Sequence, residues 1–100
     1  MLSMGQKQLV AIAGVLAMKP KYIVFDEPTT NLDITNKGNI LSIIRGLNKK
    51  DGITPILVTN SLGDLRHADN IIVMRNGQVI FNSIKSKLNK KILKKAGLYD

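Results

Sequence analysis

Three acidic residues follow closely on an apolar run in Ile23-Val24-Phe25-Asp26-Glu27-Pro28-Thr29-Thr30-Asn31-Leu32-Asp33. Asp26 and Glu27 are adjacent, and adjacent residues at a strand end point in different directions. One carboxylate can therefore serve a cation while the other serves a water. Hard oxygen donors suit Mg²⁺, which takes one or two protein carboxylates and completes its shell with phosphate oxygens and water. The second carboxylate can orient or deprotonate an attacking water. A bare Asp-Glu pair is an ordinary solvated loop feature. Four apolar residues directly ahead of Asp26-Glu27-Pro28-Thr29 favour a built site instead. A second candidate is Ser3 followed three residues later by Gln6, the form of a capping box. A capped helix start containing Gly5 offers free backbone N–H groups at the positive end of the helix dipole, which together suit an anion. Taken alone, Ser3 to Gln6 reads as an ordinary helix cap.

The elements that must position these residues follow from periodicity. Ser3 to Lys19 is predicted as a helix closed by Pro20, and its nearly unbroken apolar or small stretch from Leu9 to Met18 predicts burial on most sides. Tyr22 to Phe25 and Pro55 to Thr59 are short continuous apolar runs, which predict strands buried on both faces. Asp26 to Ile34 is a loop. Thr35 to about Leu47 carries Ile40, Ile43, Ile44 and Leu47 at helical spacing. Ser61 to His67 is a short helix, and Ile71–Met74 and Val79–Phe81 are strands joined at Asn76-Gly77, a strong hairpin signal. Ser83 is predicted to cap a last helix with Ile84, Leu88, Ile92 and Ala96 on one face, ended by Gly97. Helices alternating with buried strands imply an α/β fold with a partly parallel sheet. In such sheets ligands sit beyond the carboxyl ends of the strands, where Asp26 and Glu27 fall.

Composition narrows the partners. The chain has 100 residues, 44% of them hydrophobic, a globular composition rather than a disordered one. Fifteen Lys and Arg against seven Asp and Glu give a formal charge of +8, which suits an anionic partner. There is no cysteine, hence no disulfide framework or thiolate metal site, which fits a reducing compartment. No apolar run approaches the ~20 residues that span a bilayer, and the N-terminus lacks the order of a signal peptide. These features predict a soluble cytoplasmic chain. Lys85, Lys87, Lys90, Lys91, Lys94 and Lys95 cluster at the end. They suit either a docked helix with a solvated basic face or a helix that meets anionic lipid or nucleic acid. No aromatic residue interleaves them, so base stacking has no support and the solvated face is preferred.

Leu2-Ser3-Met4-Gly5-Gln6, followed at this distance by Tyr22 to Thr29 and then Asn31-Leu32-Asp33, resembles the ATPase subunits of ABC transporters. The resemblance runs from Leu2 to about Ile80, and Ala11 to Met18 with the Lys-Lys-Ala-Gly-Leu tail is closest in tone to cobalt and energy-coupling-factor types. It implies the C-terminal part of a P-loop NTPase domain over residues 1–82, with a basic C-terminal helix over 83–100. It also implies ATP and Mg²⁺ as cofactors. Ser3, Gly5 and Gln6 fall on the signature motif, which holds the γ-phosphate of an ATP bound mainly by the other subunit. Asp26 falls on the Walker B aspartate that supports Mg²⁺, Glu27 on the general base, and Asp33 on the loop that crosses the dimer interface. Three positions depart from the pattern. Met4 replaces a usual glycine and Leu9 a common arginine. Asn60 stands where the family has a histidine that contacts the γ-phosphate and the water. Asparagine donates a hydrogen bond but carries no positive charge, which puts hydrolysis at this subunit's own site in doubt. His67 is read as a surface or packing residue of the short helix.

No Gly-x-x-x-x-Gly-Lys-[Ser/Thr] phosphate loop occurs in the chain. The resemblance then implies as partners a missing N-terminal half with that loop, a second ATPase subunit and transmembrane transporter subunits, with no direct nucleic acid. The expected place is the cytoplasmic face of the membrane, and the expected activity in isolation is nil. The rival readings are a non-catalytic remnant or split-gene product, and an ABC-type ATPase acting outside transport.

Overall fold

The computed structural model describes residues 1–98 and divides into two compact units, Met1–Thr59 and the part from Asn60 onward. In the first unit the order is α1 (Met4–Leu16), β1 (Tyr22–Asp26), α2 (Ile34–Asp51) and β2 (Thr54–Val58). The strands pair in parallel, with Tyr22 opposite Thr54 and Asp26 opposite Val58. The crossover helix α2 makes that arrangement possible, since parallel strands need a long connection.

The core of this unit is one cluster of Ile12, Ile23, Phe25, Leu32, Ile40, Ile44, Leu47 and Ile53. Ile40 is its most enclosed large side chain, 1% exposed. The helix α2 runs four residues beyond the predicted Leu47 limit. Lys49 and Lys50 suit its negative end. It stops at Gly52, where φ is +66° and the Gly52 and Ile53 amides donate back to Asn48 and Leu47.

Two burial expectations are corrected. The predicted helix Ser3–Lys19 is observed over Met4–Leu16, and it is mostly exposed: only Gly5 and Ile12 are buried. The strands are covered on one face only. In β1, Ile23 and Phe25 are buried while Tyr22 and Val24 are 67% and 63% exposed. In β2, Ile56 and Val58 are likewise exposed. Apolar runs without alternation predicted two covered faces. The described residues supply a core for one.

The second unit holds a 3₁₀ turn (Leu62–His67), strands β3 (Asn70–Arg75) and β4 (Gln78–Ile84), a short 3₁₀ turn (Lys85–Lys87) and α3 (Lys90–Lys95). The strands form an antiparallel hairpin whose turn residues Asn76 and Gly77 both have positive φ, at 50° and 76°. That is the turn whose twist matches paired strands. The last helix differs from expectation. Ser83 lies in β4 opposite Ile71, and Ile84 pairs with Asn70, so neither belongs to a helix. Asn89 is the cap instead, with Oδ1 accepting from the Ile92 amide at 3.0 Å. The Arg75 guanidinium donates to the Lys95 carbonyl, tying the hairpin to α3. No helix among the described residues is long and apolar enough to cross a membrane.

Candidate functional site

The carboxylates stand at the carboxyl end of the parallel pair. Asp26 closes β1 opposite Val58, and Glu27 follows it. Both side chains are exposed, while Pro28 and Thr29 behind them are buried. Neither carboxylate is engaged by a hydrogen bond or ion pair among the described residues. Glu27 adopts φ +48°, a left-handed conformation costing about 1–2 kcal/mol for a residue with a Cβ. Its amide donates to the Val58 carbonyl at 2.8 Å, and its carbonyl accepts from the Thr30 amide at 3.2 Å. Two backbone bonds thus hold Glu27 in the sharp turn that ends the strand. Such strain, imposed by the surroundings, is concentrated at functional positions. Glu27→Gly is therefore expected to raise the stability of the fold by about 0.5–1 kcal/mol, the left-handed cost less the added chain entropy of glycine. Urea unfolding midpoints would read this, and a lower midpoint would contradict the strain.

At the start of α1 the predicted capping box is present. The Ser3 amide donates to Gln6 Oε1 at 2.9 Å and the Gln6 amide donates to Ser3 Oγ at 3.1 Å. The side chains of Ser3 and Gln6 are thus spent on one another. The Lys7 amide donates to the Ser3 carbonyl, so Met4 and Gly5 are the amides left without an intrahelical partner. Gly5 is buried against α2, and a Cβ there would lie 3.1 Å from Asn36 Oδ1. Glycine at this position lets α1 approach the start of α2. Asp33 caps α2, its Oδ1 accepting from the Asn36 amide at 2.8 Å. The first unit therefore brings together Ser3, Gly5 and Gln6 with the segment that carries Asp33. Asn60 lies just past β2 as the first residue of the second unit.

The donor set fits Mg²⁺ as a shared ion. No group of three or more His, Cys, Asp or Glu residues among those described could cage a metal. Exposed Asp26 supplies one hard oxygen donor, which is what this ion needs from protein when phosphate and water fill the rest. His67 is half-buried and accepts at Nε2 from the Arg66 Nε at 3.3 Å.

Two features lay beyond sequence reasoning. One is the left-handed Glu27. The other is Gln8, whose Nε2 donates to the Pro28 carbonyl at 2.8 Å across twenty positions of sequence. No spacing rule marks that glutamine. An open cavity of about 190 Å³ lies between α1 and β1, lined by Gln8, Ile12, Val15, Phe25, Asp26 and Pro28 among others.

Comparison with known proteins bears on the family and the fold. The family model "ABC transporter" matches residues 1–30. The energy-coupling factor transporter ATP-binding protein EcfA1 of Caldanaerobacter subterraneus subsp. tengcongensis is 48% identical over 100 residues, covering 98% of this chain and 36% of its own length. Among solved structures, CbiO1 from Clostridium perfringens, described as part of the ABC transporter complex CbiONQ, superposes with a TM-score of 0.80 at 38% identity. The match covers 97% of this chain and 40% of that one. A dimeric ATP-binding cassette, MJ0796, in a post-hydrolysis state with ADP and Pi, gives 0.72 at 37% identity over 83% of this chain and 36% of its own. The chain thus spans little more than a third of the relatives it matches. In sequence and in fold it belongs to the ABC transporter ATP-binding family, and it corresponds to the C-terminal part of those ATPase domains.

Proposed function

We propose that the chain supplies the signature and carboxylate half of an ATP-hydrolysing subunit that powers solute import. The observation that carries this reading is the pair of exposed, unengaged carboxylates at the carboxyl end of a parallel strand. They stand in one compact unit with a capped, glycine-containing helix start. Glu27 accepts the proton of the water that attacks the γ-phosphate. Asp26 helps hold Mg²⁺, which neutralises phosphate charge when bound. The free amides at Met4 and Gly5 face the γ-phosphate of an ATP carried by a second ATPase subunit, and Ser3 and Gln6 fix the geometry of that cap. Asp33 lies at the interface between the two subunits while it caps α2. Asn60, which follows β2 in sequence where the family has a histidine, is a neutral donor without positive charge, so hydrolysis at this subunit's own site is weakened.

The whole assembly includes transmembrane subunits and lies at the cytoplasmic face of the membrane. The dimeric neighbour and the EcfA1 and CbiO relatives support this. ATP binding further requires a phosphate-loop segment, which the relatives' greater length can accommodate. The purified chain by itself is expected to show no steady-state ATP turnover. Combined with a phosphate-loop segment and its ATPase partner, it is expected to turn over ATP. Equal turnover with and without those additions, or none in either case, would overturn the reading.

A further inference from the structure

Pro28 is buried, and a buried backbone carbonyl needs a hydrogen-bond donor. Gln8 Nε2 provides it from α1 at 2.8 Å. The next peptide along contributes the Thr29 carbonyl, which accepts from Leu32 at 3.2 Å, and the preceding Glu27 carbonyl accepts from Thr30. These backbone bonds shape the turn, with Glu27 in a left-handed conformation at its head. The cavity between α1 and β1 touches Gln8, Asp26 and Pro28, so apolar packing does not close that end of the contact. A polar tether carries it. Three residues earlier on the same helix, Gly5 lies against Asn36 in the first turn of α2, just past the loop. The first two turns of α1 thus bond to the carboxylate loop at Pro28 and pack against the helix that follows it.

We propose that Gln8 is a positioning residue: by holding the Pro28 carbonyl from α1, it fixes the backbone that aims Glu27. It thereby joins the anion-facing start of α1 to the carboxylate loop as one rigid piece. The consequence is that the segment serving the partner's ATP and the segment serving this subunit's own ATP shift together. This inference rests on the role of Glu27 in hydrolysis proposed above.

The test uses the chain assembled with its phosphate-loop segment and ATPase partner. Gln8→Met keeps the length of the side chain and removes the donor, while Gln8→Lys keeps a donor within reach. In Gln8→Met, amide hydrogen exchange at Glu27, Thr30 and Leu32 is expected to quicken about fivefold, the factor that loss of one neutral hydrogen bond gives. Exchange in α2 and β1 stays unchanged. The kcat for ATP falls about fivefold at unchanged KM, and Gln8→Lys restores both readouts to within about twofold. Unchanged loop exchange would overturn the proposal. So would an increase equal in the loop and in α2, which marks a merely structural role, or loop-confined exchange with unaltered kcat. Glu27→Gln run in parallel keeps the two readings apart. If it leaves turnover intact, the hydrolysis reading fails, and the exchange and rescue data alone decide whether Gln8 holds the loop.

Discussion

Glu27→Gln is expected to lower ATP turnover by about two to four orders of magnitude in the assembled ATPase, the usual contribution of a positioned general base. The replacement has nearly the same shape and keeps the left-handed backbone, so the turn and its bonds to Val58 and Thr30 persist. What it loses is the capacity to accept a proton. The Glu27 carboxylate is exposed and engages none of the described residues, so the folded chain gives up no contact. Stability should therefore hold to within about 0.5 kcal/mol, the ordinary range for a surface change. ATP affinity should hold as well, because Asp26 and the signature amides remain. Steady-state turnover, a urea midpoint and nucleotide titration on the same preparation separate these effects. A fall in turnover matched by a fall in stability would point to a folding defect instead of lost chemistry.

Ile40→Ala is expected to cost about 2–5 kcal/mol, the range for truncating an enclosed aliphatic side chain. Ile40 is 1% exposed and belongs to the cluster where α2 meets Ile23, Phe25 and Ile12. Small domains are stable by only about 5–15 kcal/mol in all, so this one change removes a large share. With a urea slope of about 1–3 kcal/mol per molar, the midpoint should drop by about 1 M or more, or the cooperative transition should vanish. The neighbouring Ile43, 36% exposed on the same helix, serves as the control, and its truncation should cost less than about 1 kcal/mol. Equal losses at the two positions would mean that the helix does not bury the face described.

Much of this architecture was legible beforehand, and the failures have identifiable causes. The alternation of helix and strand, the capping box at Ser3 and Gln6, and the Asn76-Gly77 turn each depend on residues a few positions apart. Local chemistry decides them. The same logic placed Asp26 and Glu27 at a strand's carboxyl end. Burial was read less well. The apolar stretch Leu9 to Met18 and the run Tyr22 to Phe25 announced sides to be covered, but composition says nothing about which residues do the covering. The last helix failed for another reason. Ile84, Leu88 and Ile92 have helical spacing, yet cross-strand pairing with Asn70 claims Ile84, and Asn89 supplies the cap. Gln8 was invisible because its partner is a backbone carbonyl twenty residues away, to which every side chain at position 28 contributes equally.

The one-sided sheet has a colloidal consequence. Tyr22, Val24, Ile56 and Val58 present a contiguous apolar surface beside strands whose pairing is only two deep, the kind of surface that invites copies to adhere. The +8 charge opposes such encounters, and it acts over a screening length of about 10 Å at 0.1 M salt that shrinks to about 3 Å at 1 M. Salt therefore removes the repulsion and leaves the attraction in place. Excluded anions such as sulfate strengthen that attraction. Dilute buffer of low ionic strength is therefore expected to keep this chain dispersed, with its solubility set by the ions around it as much as by its fold.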